Sequence, residues 1–151
     1  MAKTKQKRKV SIPKLPMQRQ FGFQHEGRYF DLRDIFDKIN GRYFNDALQD
    51  YTITWGRRRR LAPENYFVFG TIQEEDRIIR IHPRLDADFV PKWFLEYVVY
   101  HEMLHAMVPD EIDATGRRRV HTEEFQRQER NFRYFRRARQ WEDENLARFL
   151  R

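Results

Sequence analysis

The sequence predicts an α+β domain: an N-terminal helix, a three-stranded and mainly antiparallel sheet, then helices to the end of the chain. Three observations predict it. Residues 31–45 place Leu32, Ile35, Phe36, Ile39 and Phe44 near helical spacing. Short runs rich in β-branched and aromatic residues follow at 51–55, 67–72 and 77–81. Beyond Pro83 the apolar pattern returns to a helical period.

Each element has its local reason. Asp31 suits a helix N-cap, and Gly41 weakens the middle of that helix without ending it. Tyr51-Thr52-Ile53-Thr54-Trp55 reads as a strand closed by Gly56, with an arginine run at 57–60 as a solvated turn or strand edge. The polar link Gln73-Glu74-Glu75-Asp76 joins the next two strands as a hairpin. Pro83 ends the third strand, and Pro91 suits the first turn of a helix that runs to Val108 and stops at Pro109. Residues 109–120 are polar, contain Gly116 and read as a loop. A long helix is expected from Thr122, with Phe125, Phe132 and Phe135 on one side, and a last helical stretch over 141–150.

Composition narrows the class. A chain of 151 residues with 40% hydrophobic content suits one domain around one core. Cysteine is absent, which excludes disulfides, cysteine-ligated zinc and thiol catalysis. No run of 18 apolar residues exists, so no bilayer span and no membrane partner is expected. The lysine-rich start lacks the apolar stretch of a secretory signal, and a cytoplasmic location follows as the expectation.

The charge is unevenly placed. Residues 1–20 carry Lys3, Lys5, Lys7, Arg8, Lys9, Lys14 and Arg19 and no acid, which leaves 23 basic residues against 23 acids in 21–151. The expected organisation is therefore a basic tail, 1–20, on a formally neutral domain, 21–151. Such a tail points to a polyanion, most simply DNA or RNA; a merely solubilising tail is the plainer alternative.

The chemistry concentrates in His101-Glu102-Met103-Leu104-His105, an H-E-x-x-H pattern on a helix. Histidines four apart lie on one face, so their imidazoles can converge on a single cation. Glu102 sits about 100° further round, where its carboxylate can reach a water beside the metal as a general base. The plainer alternative is a pair of hydrogen-bonded core histidines.

A catalytic zinc needs a third protein ligand. Glu111 follows His105 by six residues, where some H-E-x-x-H enzymes place it, but Pro109 breaks the helix early there. His121 immediately precedes Thr122-Glu123-Glu124-Phe125, a helix start with an N-cap and acids in its first turn, and it is the preferred candidate. His82, between a strand and Pro83, reads as structural or substrate-facing, and His25 carries no signal.

From about Ile35 to Phe135 the chain resembles the SprT-like zinc metallopeptidase family, whose eukaryotic relatives include Spartan. The resemblance rests on Arg42-Tyr43-Phe44-Asn45, on the Ile53-Thr54-Trp55 strand, and on the segment from Arg77 to Pro83. It continues through Tyr100-His101-Glu102-Met103-Leu104-His105-Ala106 and closes with His121-Thr122-Glu123-Glu124-Phe125. It implies a small zincin-like fold, one zinc ion held by His101, His105 and His121, and Glu102 as catalytic base. It also implies a sheet edge able to hold an extended peptide, with 77–81 as a candidate strand of that sheet, and a substrate among proteins attached to nucleic acid. Thr122-Glu123 replaces the family's Gly-Pro, and the cysteine zinc ribbon of many relatives is missing.

Any nucleic-acid contact then falls to Lys3, Lys5, Lys7, Arg8 and Lys9, and to Arg117, Arg118 and Arg119 beside the expected metal. A solvated turn balanced by Asp110, Glu111 and Asp113 is the alternative for the second group. The mixture Phe132-Arg133-Tyr134-Phe135-Arg136-Arg137 reads first as a core stripe with a charged face, and second as a surface that stacks single strands. The overall alternative to a peptidase is a zincin-fold module that binds RNA or a ribonucleoprotein without cleaving protein.

Overall fold

The computed structural model describes residues 23–57 and 66–150. The lysine tail, the expected domain start near Phe21 and residues 58–60 of the arginine run lie outside them.

Helix α1, Leu32–Phe44, starts where the sequence places it. The Asp31 carboxylate caps it by accepting the Arg33 amide at 2.9 Å. Its buried stripe is Leu32, Ile35, Phe36, Ile39 and Phe44, and Gly41 stays within the helix. Asn45, with φ at 49°, ends it in the left-handed conformation that asparagine tolerates.

Strands β1 (Thr52–Trp55), β2 (Gly70–Gln73) and β3 (Ile78–Ile81) form one sheet in the order β1-β3-β2. The expected hairpin is there: β2 runs antiparallel to β3, with Ile72 opposite Ile79. The other pairing departs from expectation, because β1 runs parallel to β3, Ile53 opposite Ile79. The sheet is therefore mixed. Turn residues reveal a local hairpin, but nothing in a short strand declares its orientation toward a partner beyond the next one. Strand β3 is central, so the 77–81 segment supplies the middle of the sheet and β2 forms an edge.

Helix α2, Lys92–Met107, packs against α1, β2 and β3. Phe94, Leu95, Val99, Met103 and Leu104 have no exposed surface. At about 1.5–3 kcal/mol for each fully buried large apolar side chain, this helix is the main apolar anchor of the domain.

Two expectations about the C-terminal half are corrected. The loop over 109–120 contains a two-stranded ribbon, β4 (Glu111–Ile112) against β5 (Arg118–Arg119), closed by a turn in which Gly116 has φ of 80°. The long helix from Thr122 is two: α3, Glu123–Glu129, and α4, Phe135–Phe149. The break has a packing cause. Phe132 turns into the core between Tyr43, Tyr97 and Tyr100, and the Arg133 amide donates to the Tyr43 hydroxyl at 3.2 Å rather than to a helical carbonyl.

Candidate metal centre

His101 and His105 project from one face of α2, with ring centroids 5.0 Å apart. His121 reaches them from the turn before α3. The Thr122 hydroxyl accepts the Phe125 amide at 3.1 Å and caps that helix, which fixes the backbone one residue beyond His121. Phe125 is fully buried and packs against all three imidazoles, at 5.0, 4.4 and 5.0 Å between centroids. The same phenylalanine that roots α3 in the core thus forms the floor of the cluster.

His121 Nε2 lies 3.3 Å from His101 Nε2 and 3.2 Å from His105 Nε2. Nitrogens about 2.0–2.1 Å from a tetrahedral zinc are separated by about 3.3–3.4 Å, so the spacing matches two edges of such a site. The donor chemistry agrees. Glu129 Oε2 faces His101 Nδ1 at 3.3 Å, which assigns the ring proton to Nδ1 and leaves the Nε2 lone pair for the cluster. Glu129 is itself held by the Tyr97 hydroxyl, which donates to Oε1 at 2.6 Å.

Protonation follows the same geometry. Burial, then the proximity of His101 and His121, pushes His105 down to about 4. His121 is lowered for the first two of these reasons, burial and His101. Burial alone would lower His101, but the Glu129 and Glu102 carboxylates outweigh it and raise it. Burial would raise Glu129, but its bonds to His101 and Tyr97 prevail and keep it low. Most of the cluster therefore stays neutral and able to donate lone pairs to a cation.

Glu102 is 7% exposed, and burial raises its carboxyl from 4.5 to about 7, against a smaller opposing pull from His101. Strand β2 passes over it with no room to spare: a Cβ on Gly70 would stand 2.9 Å from Glu102 Cγ and 3.2 Å from Oε1. A glycine is needed where a strand backbone comes this close. The four residues line a cleft of about 760 Å³. One wall is Phe67 to Glu75, another is Asp110, Arg118 and Val120, and Tyr97, Arg139 and Glu142 contribute the rest with α2.

The other sequence candidates fall elsewhere. Glu111 is an exposed residue of β4, outside the histidine cluster. Arg117, Arg118 and Arg119 are exposed, and Arg118 is tied to Asp110 at the cleft wall, with Nε donating at 2.5 Å. His82 accepts the Arg84 amide on Nδ1 at 3.1 Å and packs on Phe67, a structural placement. His25 pairs with Asp31 at 2.7 Å beside the α1 cap. Sequence reasoning missed Glu129, Tyr97 and Gly70. A glycine inside a strand pattern is a sign of close backbone approach, so Gly70 carried a usable signal. Glu129 and Tyr97 carried none that distinguished them from ordinary helix residues.

A mixed α+β domain with an H-E-x-x-H helix and a third histidine entering the next helix is the arrangement of a zincin-type metallopeptidase-related protein. The SprT-like family model matches residues 32–142, and the chain belongs to that family. No curated protein and no solved structure matches it. Among the described residues no helix is long and apolar enough to cross a membrane.

Proposed function

We propose that the chain is a zinc-dependent peptidase that hydrolyses peptide bonds in proteins associated with nucleic acid. The observation that carries this reading is the convergence of three imidazole nitrogens at tetrahedral spacing beside a buried carboxylate. His101, His105 and His121 would hold the metal. A zinc ion at that position supplies a Lewis acid and lowers the pKa of a water towards about 7.

The protein's own groups do the rest. Glu102, buried beside the histidine cluster, would take a proton from the attacking water and pass it to the leaving amine. Glu129 and Tyr97 hold His101 in one tautomer and one orientation. Among the described residues the outer edge of β2 pairs with no strand, and it offers main-chain donors and acceptors to an extended peptide laid along the cleft. Lys3, Lys5, Lys7, Arg8 and Lys9, with Arg117, Arg118 and Arg119, would draw the polyanion that carries the substrate.

The test is cleavage of a protein bound to single-stranded DNA by the zinc-loaded full chain, beside Glu102→Gln. Cleavage that disappears in Glu102→Gln while zinc content is kept supports the reading. Cleavage that survives the substitution contradicts it. A zinc-loaded wild type that binds nucleic acid and never cleaves would make the chain a binding module instead.

A further inference from the structure

Residues 127–139 contain six arginines and one acid, and that acid, Glu129, is buried against His101 and Tyr97. Two of the six are engaged: Arg127 pairs with Glu124, and Arg139 with Glu142 at 3.2 Å. Among the described residues the other four, Arg130, Arg133, Arg136 and Arg137, enter no ion pair, and all four are exposed. Four neighbouring exposed arginines with no counter-charge of their own give the junction a local positive potential that an external anion can meet.

The patch also carries rings. Trp93 and Tyr134 are half-buried side by side, with centroids 6.4 Å apart. The Arg137 guanidinium lies 4.5 Å from the Trp93 ring centre, and that of Arg133 lies 5.2 Å from Tyr134. The break between α3 and α4 creates this arrangement, because it turns Phe132 inward and leaves Arg133 and Tyr134 at the surface. Guanidinium planes seated on aromatic rings, next to unpaired cations, suit a ligand with phosphates and flat bases. An acidic protein surface would use the cations and ignore the rings.

We infer that the α3–α4 junction is a binding surface for single-stranded nucleic acid, with Arg130, Arg133, Arg136 and Arg137 on phosphates and the Trp93–Tyr134 pair beneath the bases. Arg139, three residues past Arg136, lines the cleft that also holds the histidine cluster, so this surface adjoins one wall of that cleft. The surface differs from the lysine tail and from the 117–119 ribbon, and its binding does not depend on peptide hydrolysis.

The test is fluorescence anisotropy of a dye-labelled deoxythymidine oligonucleotide of about 20 residues, titrated with the full chain over a salt series. Arg130, Arg133, Arg136 and Arg137 are changed together to Gln, with the melting temperature as a folding control. The expected result is at least about a tenfold loss of affinity near 0.1 M salt and a log–log salt slope shallower by about 3, near 0.7 for each lost phosphate contact. Trp93→Leu is expected to weaken binding several-fold with the slope unchanged, as loss of stacking requires. The Glu102→Gln chain is expected to bind like wild type, so failure of the peptidase reading leaves this result standing. Unchanged affinity in the fourfold variant would overturn the inference. So would a loss confined to a full chain with Lys3, Lys5, Lys7 and Lys9 changed to Gln. Polyglutamate competing as well as the oligonucleotide would also overturn it, in favour of an acidic protein partner.

Discussion

Gly70 stands against Glu102 so closely that a Cβ on the glycine would come within 2.9 Å of Glu102 Cγ. The edge strand and the catalytic candidate are thereby fixed with respect to each other. Gly70→Ala must displace either the Glu102 side chain or the start of β2. Misplacement of a reacting group by about 1 Å can cost about a hundredfold in rate. The variant is expected to keep zinc and lose about 10- to 100-fold in cleavage, checked by steady-state kinetics beside metal analysis.

Glu129 holds His101 from behind, at 3.3 Å from Nδ1. Glu129→Gln keeps the shape and removes the carboxylate charge. Zinc affinity is expected to fall about 10- to 100-fold, as measured by competition with a chromophoric chelator. Tyr97→Phe removes one bond to that carboxylate and is expected to cost less.

Burial of Glu102 makes a pH-dependent demand on the metal-free fold. Its carboxyl is raised from 4.5 to about 7, so between those values the folded chain binds more protons than the unfolded one. This group's contribution to stability is present below about 4.5 and is lost as pH rises through about 7. Glu102→Gln removes the ionisation. The zinc-free variant is expected to be more stable than zinc-free wild type at pH 8, by on the order of 1–3 kcal/mol. At pH 4.5 the two should be nearly equal. Urea denaturation at both pH values checks it.

Phe125 joins the core to the cluster, fully buried and in contact with all three imidazoles. Phe125→Ala is expected to cost about 3–5 kcal/mol in stability and to weaken zinc binding in the same variant. Phe125→Leu should retain much of both. Thermal unfolding with and without added zinc separates the two effects.

Much of this was legible in the sequence, for identifiable reasons. Asp31, the apolar stripe of α1 and the H-E-x-x-H helix are local signals, and local signals survive folding. His121 was legible because a capping threonine and acids follow it directly. The parallel pairing of β1 with β3 was hidden, since register across a gap of 22 residues leaves no local mark. The break between α3 and α4 was hidden because Phe132 fits a helical stripe, and only the tyrosines around it draw it out of phase. Glu129 was invisible as a site residue until α3 folded over α2.

The most direct measurement is zinc per chain by elemental analysis, for wild type beside His121→Ala and Glu102→Gln. About one zinc in wild type and in Glu102→Gln, lost or greatly weakened in His121→Ala, is the expected result. A wild type that takes up no zinc when it is supplied, or a His121→Ala chain that binds it as tightly as wild type, would contradict the three-histidine centre.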